Sequence, residues 1–175
     1  RQQFERSPGV ERYQLVLKAG LAAGQDVVAL RQSLIDFLAG LELSAMNRRP
    51  YSARSGSASV PTGERDVSLR AEVLCVEGRW SEAGALVQPP AVCRDGVLSQ
   101  IAQHLAPEQR DQALSLLLRV FNSAMRRSSS PYRDELAMVE DIARRMDPAR
   151  RIAWLAQLRT EFKAKRNFIR DLPER

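Results

Sequence analysis

Apolar side chains recur every three or four residues along almost the whole of this chain, and glycine or proline interrupts the pattern at short intervals. Such spacing gathers the apolar groups on one face of a helix, and each interruption forces the chain to turn back on itself. Val10, Tyr13, Leu17 and Leu21 predict a helix over residues 8–23, with Ser7 as its cap and Pro8 in its first turn. Gly24-Gln25-Asp26 then breaks and restarts the chain. Val27, Leu30, Leu34, Leu38 and Leu41 predict a second helix to about residue 42, so the first two helices form a hairpin.

Residues 67–76 carry two patterns. Val67, Leu69, Ala71 and Val73 alternate as in a strand, whereas Glu64-Arg65-Asp66 reads as the polar first turn of a helix. A helix is expected, because Gly78-Arg79-Trp80 is a tight turn into another short helix that must stop before Pro89-Pro90. Asp95 caps a helix carrying Val97, Leu98, Ile101 and Leu105. Pro107 opens the next, whose Leu114, Leu116, Leu117, Leu118, Val120, Phe121 and Met125 form a stripe too wide for burial on one side only. Ser130-Pro131 starts a helix with Tyr132, Leu136, Val139, Ile142 and Met146. Asp147-Pro148 stops it and caps a last helix carrying Ile152, Leu155, Leu158, Phe162 and Ile169. The expectation is an all-α chain of about eight helices.

The 175 residues suffice for one ordinary domain with a real core, and 44% apolar with 27% charged residues is average for a globular protein. Collagen-like, disulfide-rich and wholly disordered classes are excluded. No apolar run approaches the roughly 18 residues that span a bilayer, so no membrane helix is expected. The chain starts at Arg1 rather than methionine, which reads as a fragment or processed piece from which a targeting segment has been removed. Residues 44–64, with Pro50, Ser55, Gly56, Ser57, Pro61 and Gly63, have the composition of a flexible linker or long loop. The expected organisation is a helical hairpin at 1–43, this linker at 44–64 and a helical-repeat domain at 65–175.

Helical hairpins in series are the mark of an α-solenoid. Glu77-Gly78-Arg79-Trp80-Ser81-Glu82-Ala83 carries the core of a tetratricopeptide-type hairpin. In it Gly78 allows the tight turn, Trp80 packs over the hairpin and Ala83 lets the helices approach closely. Residues 107–114 echo its second half, and a plain helical bundle is the alternative. Together with Tyr132 and its helix, Trp154-Leu155-Ala156-Gln157-Leu158-Arg159 and Phe162-Lys163-Ala164-Lys165-Arg166-Asn167-Phe168, this motif resembles the tetratricopeptide-like helical region at the C-terminus of bacterial SWIM zinc-finger proteins. The resemblance covers residues 67–173 and implies an interaction scaffold without assigned chemistry; a cytoplasmic location is expected from Cys75 and Cys93, which form no CxxC pair and read as reduced thiols. The chain departs from that family in the finger itself: two cysteines and one histidine cannot supply four zinc ligands.

Catalytic constellations are missing. His104 is the only histidine, and Pro107 separates it from Glu108; it reads as a half-exposed residue near a helix end. No nucleophile elbow or phosphate loop is present. Cys75 and Cys93 read as reduced thiols, Cys75 as a core residue. No enzyme activity, metal or cofactor is expected. Arg126-Arg127-Ser128-Ser129-Ser130 reads as the polar end of one helix and the cap of the next, with a basic phosphorylation site as the other reading.

Charge is placed unevenly. Residues 1–143 hold 17 basic and 17 acidic side chains, and residues 144–175 hold 10 and 4, so the whole excess of +6 lies at the C-terminal end. Arg159, Lys163, Arg166 and Arg170 fall at i, i+4, i+7 and i+11, one face of a continuous helix. These four are the expected contacts for a protein partner, with an exposed edge around Trp80. A nucleic-acid-binding accessory domain using the same helix is the alternative, and a solvated face the plainest reading.

Overall fold

The computed structural model describes residues 1–47 and 65–173. Among them lie ten α-helices: α1 (Gln2–Arg6), α2 (Val10–Ala22), α3 (Val27–Asn47), α4 (Ser68–Val76), α5 (Trp80–Leu86), α6 (Asp95–His104), α7 (Arg110–Arg127), α8 (Arg133–Arg144), α9 (Pro148–Glu161) and α10 (Arg166–Asp171). A 3-10 turn, Pro107–Gln109, leads into α7. No strand is present among the described residues; an isolated parallel bridge pairs Asp66 with Val92. The chain is therefore all-α, with α1 and α10 beyond the eight helices expected.

Two hairpins end their first helix with the same device. Gly24 and Gly78 take left-handed φ values of 69° and 71°. At the end of α2, Gly24 N donates to Leu21 O and Gln25 N to Gly20 O; at the end of α4, Gly78 N donates to Cys75 O and Arg79 N to Leu74 O. This is the Schellman pattern, which satisfies the carbonyls left over at a helix end and needs a residue without a Cβ penalty at the left-handed position. Ala83 is fully buried where α5 packs on α4, and Trp80 is half-buried at the first position of α5. Gly78→Ala is expected to cost about 1 kcal/mol, since space is open around the Cβ position and the penalty is conformational alone. Gly40→Ala, within α3 and equally open, should stabilise by about 0.5–1 kcal/mol. Urea titration of both variants checks the pair, and equal signs would refute the account.

Helix starts follow the sequence in two places. Asp26 Oδ1 accepts from Val28 N and Ala29 N at 2.9 and 3.2 Å at the start of α3. Asp147 Oδ1 accepts from Arg150 N at 2.9 Å at the start of α9. The expected cap at Ser7 is corrected: α2 starts at Val10 with Gly9 as its N-cap, and Ser7 closes α1 instead. Phe4 explains the extra helix, since its buried ring packs on Tyr13 and Phe37. Glu64 lies outside the described residues. Asp66 is no helical first turn; its carboxylate accepts from Ser68 N, while Val67 N and Val92 O close a bond at 2.9 Å.

Compact packing divides the chain into Arg1–Val97 and Leu98–Arg175, a boundary within α6. Residues 44–47 continue α3, the remainder of the expected linker lies outside the described residues, and α3 and α2 pack on α4 within the first unit. There Tyr13, fully buried, donates its hydroxyl to Glu77 Oε1 at 3.1 Å, and Glu77 Oε2 pairs with Arg31 Nε at 2.9 Å. Burial, reinforced by the Glu77 carboxylate, raises the Tyr13 phenol above its usual range.

In the second unit α7 is the central helix. Ala113, Leu114, Leu116, Leu117, Val120, Phe121 and Met125 are buried over a wide arc, as the breadth of the apolar stripe requires. It packs on α8, and its Phe121 is ringed by Trp154, Phe162 and Phe168 at centroid distances of 5.8, 6.1 and 6.3 Å.

Candidate functional site

The last helix expected from the sequence is in fact two. α9 ends at Glu161, residues 162–165 turn, and α10 starts at Arg166. In an unbroken helix Phe162 and Phe168 would stand about 120° apart, given roughly 100° per residue. The turn lets both rings reach Phe121 and each other, at 5.8 Å. The expectation that Arg159, Lys163, Arg166 and Arg170 line one continuous helical face is thereby corrected. Arg159 is half-buried and donates an Nη2 bond to Pro173 O at 2.6 Å, so it braces the chain end. Arg170 closes on its neighbour Asp171 through two bonds of 2.7 and 3.0 Å, which hold that carboxyl below its usual range. Lys163 and Arg166 are exposed and make no ion pair among the described residues.

The turn is pinned to the connection between α7 and α8. Lys165 Nζ donates to Ser128 O at 2.8 Å and sits 4.9 Å from the centroid of the Tyr132 ring. Asn167 Nδ2 donates to Ser130 Oγ at 2.9 Å, and Phe168 meets Tyr132 edge-on at 5.8 Å. Ser128 Oγ bonds the carboxylate of Glu135, which is itself buried. These contacts draw together the end of α7, the start of α8 and the α9–α10 turn. Arg126 and Arg133 flank the connection, both exposed and without an ion pair among the described residues.

The cationic end of this unit consists of Lys163, Lys165 and Arg166 on the turn and of Arg126 and Arg133, which flank in sequence the α7–α8 connection that Lys165 and Asn167 bond. Asp134 and Glu161 are the exposed carboxylates nearest to it in sequence. Along α7 the cationic surface continues into a recess of about 390 Å³ lined by Arg119, Asn122, Ser123, Arg126 and Arg127. The surface offers guanidinium and ammonium donors, which suit carboxylates and phosphates. Sequence reading missed Arg126 and Arg133 because 37 and 30 positions separate them from Lys163, and Arg126-Arg127 by itself looks like the favourable basic last turn of a helix.

The other singled-out residues are accounted for structurally. His104 ends α6, exposed, with Nδ1 bonded to Gln100 O at 2.9 Å. Cys75 and Cys93 are free and buried, and burial pushes the Cys75 thiol up to about 11, away from thiolate chemistry. Among the described residues no group of three or more His, Cys, Asp or Glu side chains stands ready to hold a metal ion, and no helix is long and apolar enough to cross a membrane.

Comparison with protein-family models, with curated proteins and with solved structures finds no match to this chain.

Proposed function

We propose that the chain is a non-catalytic helical-repeat scaffold, part of a larger protein, that docks an acidic protein partner on the cationic end of its second unit. The observation that carries this is the pinning of the turn that bears the exposed Lys163 and Arg166 to the connection flanked in sequence by the exposed Arg126 and Arg133, through the Lys165–Ser128 and Asn167–Ser130 bonds. Immobilising Lys165 and the loop beneath it presents the charges without a large ordering cost on binding. The tetratricopeptide-like character of the hairpins, and the relation to the helical region of SWIM zinc-finger proteins, are part of this proposal. They rest on Gly78, Trp80 and Ala83 standing at the turn, the helix start and the helix contact that the motif requires.

Nucleic acid is the second reading, favoured by the same cations, since phosphate is bound by these groups equally well. One experiment separates the two. The purified chain and a variant with Arg126, Arg133, Lys163 and Arg166 all changed to glutamine are titrated with a glutamate-rich peptide and with single- and double-stranded DNA and RNA over a salt series. The scaffold reading expects peptide binding, weakened roughly tenfold or more in the variant, because four rim charges at a few tenths of a kcal/mol each reach that size. Tighter binding of nucleic acid, falling steeply with salt and lost in the variant, would replace the protein partner by nucleic acid. Binding of neither at low salt would refute both.

A further inference from the structure

The first unit carries a second kind of surface. An open groove of about 730 Å³ runs along α2 between α1 and the start of α3, with Leu15, Val16, Ala19 and Leu30 along its walls and Arg1 and Arg12 at its rim. Leu15 is 64% exposed and extends the apolar surface of the groove to solvent. The depth has a definite cause. Gly20 is buried, and a Cβ there would stand 2.5 Å from Leu30 Cδ2, so the missing side chain lets Leu30 settle toward α2.

Charge selects the occupant. Among the described residues no carboxylate lines the groove, whereas two guanidiniums do. Arg1 commits its Nε to Glu5 at 2.7 Å and Arg12 one Nη to Ser7 O at 2.6 Å, which leaves further donors on each. A neighbouring recess of about 790 Å³ between the start of α2 and α4 is different in kind. Its charged lining is Glu11, Asp66 and Glu72 with Arg94 and with Arg12, which borders both recesses, and Arg94 is paired with Glu72, so carboxylates and guanidiniums are mixed there.

We propose that the α2 groove seats an amphipathic helix of a partner protein, about three turns long, whose apolar stripe ends in a glutamate or aspartate that meets Arg12 and Arg1. From Arg12 to Ala23 the groove follows α2 for about 16 Å, at 1.5 Å per residue, the length of a three-turn helix. Helix-in-groove docking uses such a stripe at i, i+3 or i+4 and i+7, with charge at the ends fixing direction. This deepens the scaffold reading by naming a partner's chemistry. It stands on a different unit from the cationic end, so either surface can fail while the other survives.

The test uses the full chain and two labelled, helix-forming peptides of about three to four turns that share one leucine stripe. One carries glutamates at both ends and the other lysines. Fluorescence anisotropy should show the glutamate peptide binding at least roughly tenfold more tightly. Leu15→Asp should abolish that binding, and Arg12→Glu should reverse the preference between peptides. Both positions are exposed, and unchanged circular dichroism confirms that the variants remain folded. Ala19→Arg, which fills the groove from another exposed position, should act as Leu15→Asp does. Equal binding of the two peptides, binding indifferent to Leu15→Asp and Ala19→Arg, or no binding of either would overturn the proposal. Sedimentation showing a dimer of the chain that dissociates in Leu15→Asp would overturn it as well, giving the groove to a second copy.

Discussion

Changing Phe121 to alanine is expected to remove about 3–5 kcal/mol of stability, enough to leave a chain of this size largely unfolded or close to it. The ring is fully buried and is the one that Trp154, Phe162 and Phe168 all touch, from α9, the turn after it and α10. Truncation removes the transfer energy of a phenyl group and leaves a cavity that three rigid rings cannot easily close. It also breaks edge-on contacts at 71° and 89°, each worth about 0.5–1.5 kcal/mol beyond area burial. Phe121→Leu retains most of the volume and should cost about 1–2 kcal/mol. Equilibrium urea unfolding measures both. A loss below about 2 kcal/mol for the alanine variant would mean that the aromatic cluster repacks and does not organise this unit. The consequence reaches function, because Phe162 and Phe168 bracket the turn that carries Lys163, Lys165 and Arg166. A partly folded Phe121→Ala chain should lose binding at the cationic end while leaving those cations in its sequence.

Glu42→Gln is expected to cost about 2–4 kcal/mol, although it removes only one charge. Glu42 Oε2 accepts from Arg65 Nε at 2.7 Å and pairs with Arg65 Nη2 at 2.7 Å and Arg70 Nη2 at 3.0 Å. The Glu42 and Arg70 side chains are only 8% and 14% exposed. Arg70 Nε is buried with no hydrogen-bond partner, and burial pulls the Arg70 pKa below its ordinary value, so this cation already stands poorly solvated. Without the carboxylate, two guanidiniums face each other with only the smaller influence of Asp36 to offset them, and removing one member of a buried pair typically costs about 3–5 kcal/mol. Arg65 is 30% exposed and can swing toward water, which places the estimate at the lower side of that range. Replacing Glu42 and Arg70 together by leucine should recover most of the loss, since an apolar pair leaves no charge to desolvate. A Glu42→Gln penalty under about 1 kcal/mol in urea unfolding would show that water reaches all three groups.

Arg65 follows directly on residues outside the described structure, and its pairing with α3 is a contact across sequence that no local pattern reveals. The same holds for Tyr13 with Glu77, 64 positions apart. Local chemistry was legible by contrast. Gly24 and Gly78 occupy left-handed positions because their neighbours end helices, and Asp26 and Asp147 cap because each precedes a run of periodic apolar residues. The strand-like alternation at residues 67–76 resolved correctly into α4, since Gly78-Arg79-Trp80 reads as a helix stop.

Periodicity and punctuation determined the all-α class and the approximate extents of α2 to α9, though not every residue of the apolar stripes is buried: Leu21, Leu41 and Ile152 are exposed. Class and extents depend on interactions within one or two turns of chain, and sequence displays such neighbours directly. Tertiary structure alone decided the break between α9 and α10, where Phe162-Lys163-Ala164-Lys165 holds neither glycine nor proline. A helix there would be locally acceptable. It yields because two phenylalanines on different helical faces must both reach Phe121, and because Lys165 finds a carbonyl and an aromatic ring on another segment. That break released Lys163 and Arg166 from a stripe with Arg159 and Arg170 and pinned their turn to the connection that Arg126 and Arg133 flank in sequence. The candidate site was therefore only half legible: its charge excess is a property of composition, but its membership depends on which distant segments burial brings together.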